Sequence, residues 1–191
     1  MYYIIRNMKS RITVLLVITL LTKCSLAQMG PLSLSLDLTK PTGEYGESVG
    51  LGYGGVWGYE DFISDKVGLT LHLGNTLMSA NGYDVNGNEI EEGSCELLHA
   101  QLGVKYYFKD HYSGLYGMFQ VGASRATYDL TIFEFQNTSR VTTFSVGYKA
   151  SRKWDYSLRF NSARVLGTTD PMRFVGLRVS RTLFGDRQER P

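Results

Sequence analysis

The side chains best suited to metal or acid–base chemistry in this 191-residue chain are three histidines, His72, His99 and His111. His72 and His99 lie on neighbouring stretches that alternate apolar and polar residues, and both fall in the polar phase. They therefore share one face and can approach each other. A metal centre would need a further ligand at a matching position, and none is evident. A hydrogen-bonded polar interior is the expectation, with no metal, no cofactor and no catalytic residue assigned. His111 falls in a short polar turn.

A second candidate is the acidic stretch Asp84-Val85-Asn86-Gly87-Asn88-Glu89-Ile90-Glu91-Glu92. Asp84, Asn86 and Asn88 stand at the first, third and fifth positions of a calcium loop, with an aliphatic at the seventh. Glu89 replaces the glycine that such a loop needs at its turn, and Cys95 replaces the bidentate glutamate. Asn86-Gly87 reads instead as a hairpin turn. Asp84, Asn86, Asn88, Glu91 and Glu92 are thus expected to form a solvated acidic loop able to bind an external ligand of unknown kind. Asn137-Thr138-Ser139 matches a glycosylation sequon, a short and weak pattern. The glycines of 50–55 are followed by no helix and make no nucleotide loop.

The elements that must position these residues begin after residue 27. Arg6, Lys9 and Arg11, the apolar run Ile12–Leu21 and the small residues Ser25-Leu26-Ala27 have the layout of a cleaved secretory signal. A retained anchor is the competing reading, but the apolar run is far short of the roughly 20 residues a spanning helix needs. Cys24 suggests lipidation, yet Lys23 stands where such a site needs a small residue. Residues 1–27 carry four basic groups and no acid, so their removal takes the net charge from +2 to −2. Nothing then points to nucleic acid. Cys95 is the one cysteine left, so no intramolecular disulfide can form, and a small packing role is expected for it.

From Gly30 onward the hydrophobic period is 2. Leu32, Leu34, Leu36 and Leu38 alternate with Ser33, Ser35, Asp37 and Thr39; Trp154, Tyr156, Leu158 and Phe160 alternate with Asp155, Ser157, Arg159 and Asn161. Eight strands are predicted, over 31–39, 48–58, 66–76, 94–108, 113–126, 139–150, 154–164 and 172–184. Several reach the ~9–11 residues with which a tilted strand crosses a bilayer. Connections at 59–65, 109–112 and 151–153 are short. Those at 77–93 and 127–138 are longer, the latter with the residual alternation of a hairpin tip. Trp57, Tyr59, Phe62, Tyr106, Phe108, Tyr112, Tyr148, Trp154 and Tyr156 cluster near the short turns, as an interfacial aromatic girdle would. The fold expected is all-β, an eight-stranded antiparallel up-and-down transmembrane β-barrel over 28–184 with a polar tail at 185–191.

The leucine-alternating first strand, the run Pro41-Thr42-Gly43-Glu44-Tyr45-Gly46, the glycine-rich Gly50-Leu51-Gly52-Tyr53-Gly54-Gly55 and the strand Gly103-Val104-Lys105-Tyr106-Tyr107-Phe108 together resemble the small OmpA/OmpX-like outer-membrane barrels, in particular their Bacteroidetes-type members. The resemblance spans the chain after the signal. It implies a bacterial outer-membrane location, contact with outer-membrane lipid, and insertion by the barrel-assembly machinery. Such barrels often end on a phenylalanine recognised during insertion. Here Phe184 is followed by 185–191 and is out of phase with Val175, Leu177 and Val179, which speaks against that role.

Eight strands enclose a space that side chains can fill. The polar phase places Asp37, His72, His99, Gln101, Lys105, Tyr116, Gln120, Arg159 and Arg178 inside, with Gly50, Gly52 and Gly54 leaving room for the longer ones. Charges confined there should pair, because an unpaired buried ion is costly. The expected function is structural, or binding through the loops, around a plugged polar lumen. Two alternatives stand beside it. One is a membrane-embedded enzyme acting on lipid or envelope, although such enzymes place a Ser/His site on the membrane-facing surface. The other is a soluble lipocalin-like binding barrel with the two faces inverted, since periodicity alone does not choose the sign.

Overall fold

The computed structural model describes residues 30–43, 49–83, 89–109, 113–130, 133–165 and 171–184. The signal-like segment 1–27, His111, Tyr112 and the tail 185–191 lie outside them. Eight strands follow one another: β1 (Leu32–Thr42), β2 (Val49–Phe62), β3 (Val67–Tyr83), β4 (Glu89–Tyr107), β5 (Gly114–Leu130), β6 (Phe133–Lys149), β7 (Trp154–Val165) and β8 (Met172–Phe184). Each pairs antiparallel with its sequence neighbours, and β8 pairs back onto β1, so the sheet closes into a barrel. Closure leaves no edge with unpaired backbone groups. No helix among the described residues is long and apolar enough to cross a membrane, a statement that does not bear on strands.

Short turns join the strands at one end. Ile63 N–H donates to Val67 O (2.9 Å) and Ala150 N–H to Trp154 O (3.0 Å). Ser151 Oγ accepts from the backbone N–H of Lys153 and Trp154 at 3.3 and 3.2 Å, fixing the β6–β7 turn. The opposite end differs from the sequence expectation. The stretch 77–93 is mostly strand: β3 runs to Tyr83 and pairs with β4 from Glu89 onward. At 127–138, by contrast, β5 and β6 continue to Leu130 and Phe133 and stay paired, as the residual alternation of a hairpin suggested. Polar strand extensions beyond an apolar band lose their periodic contrast, so hydropathy ends the strand too early while the hydrogen-bond ladder continues. Asp84, Asn86 and Asn88 lie outside the described residues. Glu91 pairs with Gly82 and Glu92 with Asn81 in the ladder.

Alternation fixes which residues face where. Leu36 (71 % exposed), Leu102 (62 %) and Leu177 (59 %) point outward, as do Phe119, Phe144 and Phe160. Arg159 and Arg178 point inward and are each 3 % exposed. The inverted, lipocalin-like arrangement is therefore ruled out: aliphatic side chains cover the outside. Two aromatic placements also need correction. Phe62 turns inward, its ring 6.5 Å from that of buried Tyr107, and leaves the girdle. Phe184 faces outward, because a register irregularity at Leu32/Ser33 pairs it with Leu32 and offsets the phase of β8 by one residue.

Candidate functional site

The inward side chains stack in three layers. Nearest the loop end, Val49, Met78, Cys95, Ala126, Val141, Ala163, Met172 and Phe174 form an apolar cluster, with Leu97 packed against it. Cys95 is a fully buried member. At this level β8 reverses the usual contrast, with Met172 and Phe174 inward and Arg173 outward, and the sequence reading of a uniformly polar interior missed the cluster for that reason. Met172 and Phe174 share the phase of Arg178, the only signal that could have shown it.

The middle layer is built on Asp37, which the β1–β8 seam places directly opposite Arg178. Arg178 grips it with two bonds, Nε to Oδ1 at 2.5 Å and Nη2 to Oδ2 at 2.6 Å. From β7, Arg159 Nη1 donates to the same Oδ2 at 2.6 Å. One carboxylate thus serves two guanidiniums, the arrangement in which charge-assisted bonds are short and directional. The network spreads sideways from there. Arg159 Nη2 donates to Gln101 Oε1 (3.1 Å), Gln101 Nε2 to Thr143 Oγ1 (2.6 Å), and Thr143 Oγ1 to Asn161 Oδ1 (2.6 Å). Arg178 Nη1 lies 2.6 Å from His72 Nδ1. A guanidinium can only donate, so this nitrogen is the acceptor and the His72 proton sits on Nε2. His99 is inward too, but it faces Gly74 in the ladder rather than His72, whose partner is Gln101. The two histidines are diagonal neighbours rather than ladder partners, and no cluster of three or more His, Cys, Asp or Glu side chains that could hold a metal occurs among the described residues.

The third layer, toward the short turns, reverses the charge pattern. Lys105 Nζ stands 2.6 Å from Asp155 Oδ2 and 3.5 Å from Glu60 Oε2. Tyr116 donates to Asp155 Oδ1 at 2.5 Å and Tyr107 to Glu60 Oε1 at 2.8 Å. The ammonium also rests 3.9 Å from the centre of the Tyr116 ring. Tyr116 can lie flat there because its ladder partner is Gly147; a Cβ at that position would stand 2.7 Å from Tyr116 Cε1. Lys149 sits over the Phe62 ring at the mouth. Of this layer only Lys105 and Tyr116 were singled out from the sequence. Asp155 and Tyr107 continue the phases of Arg159 and Lys105 and were readable. Glu60 was hidden because strand two was ended at residue 58, four residues short of its true end.

Small cavities are left in the lumen among the described residues. One of about 30 Å³ lies between the middle layer and the apolar cluster, and one of about 40 Å³ lies on the turn side. The Asp37–Arg159–Arg178 group stands between them.

An up-and-down barrel of eight strands with aliphatics outside and ions inside is the fold class of the small outer-membrane barrels. Comparison with solved structures gives the same result. The N-terminal β-barrel domain of Pseudomonas aeruginosa OprF is similar at 16 % identity and a TM-score of 0.53, covering 81 % of this chain and 98 % of that one. Ail, the attachment invasion locus protein of Yersinia pestis, solved with the heparin analogue sucrose octasulfate, is similar at 10 % identity and a TM-score of 0.52, covering 80 % and 95 %. No protein-family model and no curated protein matches the sequence.

Proposed function

We propose that this protein is an outer-membrane β-barrel with a closed lumen, acting structurally or as a binder through the hairpins at its loop end. The observation that carries the reading is the inversion of the two faces. A continuous apolar wall of this extent on a free-standing protein marks contact with lipid. The buried Asp37–Arg159–Arg178 group supports a lumen that does not conduct, since moving an ion past it would mean breaking paired charges away from water. Residues 1–27 would direct export, and the barrel-assembly machinery would insert the chain. A ligand at the loop end would meet Asp84, Asn86, Asn88, Glu91 and Glu92. No catalytic role is assigned: His72 and His99 both face inward, away from any lipid substrate.

Expression of the full chain in a Gram-negative host tests the location. Recovery in outer-membrane vesicles, with gel mobility that changes on boiling, is the expected result; release as a soluble periplasmic protein would overturn it. Planar-bilayer recording tests closure, with no stable unitary conductance expected. A reproducible ohmic step would show an open pore. Replacing 84–88 by a tight Asn-Gly turn should leave both results unchanged while altering any surface binding.

A further inference from the structure

The outer wall carries cations as well as aliphatics, and their placement is not random. Lys40 on β1, Arg125 on β5, Arg140 on β6, Arg164 on β7 and Arg173 on β8 all point outward and are exposed. They lie toward the loop end, above Leu36, Phe119, Phe144, Phe160 and Leu177 on the same strands. The ladder makes them neighbours. Arg140 is directly opposite Arg164, Arg125 is opposite Thr138 two residues from Arg140, and Arg173 is opposite Ser162 two residues from Arg164. Lys40 completes the row diagonally from Arg173, whose partner on β1 is Thr42. The outward positions of β7, β8 and β1 hold no Asp or Glu among the described residues. On β5 and β6 the outward-phase acids Asp129 and Glu134 are ladder partners of each other nearer the hairpin tip, and Glu96 on β4, opposite Thr127, is the acid position diagonal to Arg125. Like charges facing each other across a ladder, about 5 Å apart at Cβ, repel unless an anion lies between them.

A groove opens beside this row. It has a volume of about 580 Å³ and is lined by Gly55, Asn75, Ala100 and Ala123, with Leu34 and Trp57 at one end and Arg125 at the other. Its small residues are the floor. Along the ladder, Arg140 pairs with Ala123, Ala123 with Ala100, Ala100 with Leu73, and Leu73 with Trp57. Successive partners lie nearer the short turns, so the groove descends from the cationic row into the apolar band.

We infer that this face binds one anionic lipid of the loop-side leaflet, its phosphate held between Arg140 and Arg164 and an acyl chain lying in the groove down to Trp57. Guanidiniums take phosphate oxygens bidentately, and a phosphate between Arg140 and Arg164 relieves their opposition. The cations extend sideways from the wall, in line with the aliphatics below them. The anion they meet is therefore one at the bilayer surface, rather than a soluble polysaccharide approaching the loop tips. The inference rests on the membrane reading above.

Trp57 and Trp154 are the two tryptophans of the chain, so Trp154→Phe leaves Trp57 as the sole reporter. The full chain carrying that change is refolded into phosphatidylcholine vesicles containing a minor fraction of acyl-brominated lipid, either phosphatidylglycerol or phosphatidylcholine. Trp57 quenching should be several-fold greater with the brominated phosphatidylglycerol, and Arg140→Gln with Arg164→Gln should abolish the preference while gel mobility still changes on boiling. Equal quenching by the two lipids would overturn the lipid site and leave the membrane reading intact. No quenching by either would overturn the membrane reading itself. A preference lost with Arg181→Gln, near the turns, and kept without Arg140 and Arg164 would place the lipid in the wrong leaflet. A soluble sulfated oligosaccharide that binds through Arg140 and Arg164, with no discrimination between the lipids, would assign the row to a polysaccharide and refute the proposal.

Discussion

The lumen contains two ionic groups built on opposite plans. In the middle layer one carboxylate, Asp37, is shared by Arg159 and Arg178. In the turn-side layer one ammonium, Lys105, is shared by Glu60 and Asp155. Each hub holds apart two like charges that would otherwise face each other in a dry interior. The two groups differ in their reserves. The side chains of Asp37 and Arg178 are 6 % and 2 % exposed, whereas Glu60 and Asp155 keep 12 % and 15 % and accept tyrosine hydroxyls. A polar barrel interior is thus stable through its hubs, and the deeper hub has fewer substitutes. Either pair can be replaced by apolar residues without loss in principle; removing one partner alone is what costs.

The sharpest way to break the comparison is Asp37→Asn. The shape is kept, but two buried guanidiniums lose their counter-charge and one meets an amide that cannot accept as a carboxylate does. A loss of about 3–5 kcal/mol is expected, measured by urea unfolding of the barrel in lipid vesicles with boiling-dependent gel mobility as the readout. Adding Arg159→Met should restore part of it by removing one of the stranded charges. No recovery would mean that the two arginines are not coupled through Asp37.

Lys105→Met comes next. It leaves Glu60 and Asp155 facing each other, but both keep a tyrosine donor and some access to water at the mouth. The expected loss is about 3 kcal/mol, the low end for a buried partner, in the same assay. If it exceeded that of Asp37→Asn, the ordering by depth would be wrong.

How much of this was legible depends on which signal a residue carries. The strand count, the inward face and the positions of Asp37, Lys105, Arg159 and Arg178 all follow from period-2 alternation, which survives because one side must be apolar and the other polar. Three features escaped it. The β3–β4 hairpin reaches Tyr83 and Glu89 because ladder hydrogen bonds continue where hydropathy no longer alternates. Met172 and Phe174 lie inward with Arg173 outward between them, so the polar phase points the wrong way there. Phe184 is turned outward by a one-residue irregularity, which reverses its face relative to the phase of the strand. The pairing of Asp37 with Arg159, 122 residues away in the chain, needed the closed barrel to be seen. The two histidines were placed on the right face, but only the register shows them opposite Gln101 and Gly74 rather than each other.

The smallest expected effect tests the reserve assigned to the turn-side group. Tyr116→Phe removes one hydroxyl from Asp155 Oδ1 and keeps the ring under Lys105. Asp155 retains the ammonium at 2.6 Å on its other oxygen, so the carboxylate is not stranded. The loss should be about 1.5 kcal/mol, the lower range for a bond to a charged group. Combined with Lys105→Met, the same change should cost more than it does alone, because the tyrosine would then be the main group left to stabilise Asp155. Losses that simply add would mean that the hydroxyl and the ammonium act independently. The tolerance of this layer would then come from its exposure at the mouth, not from its tyrosines.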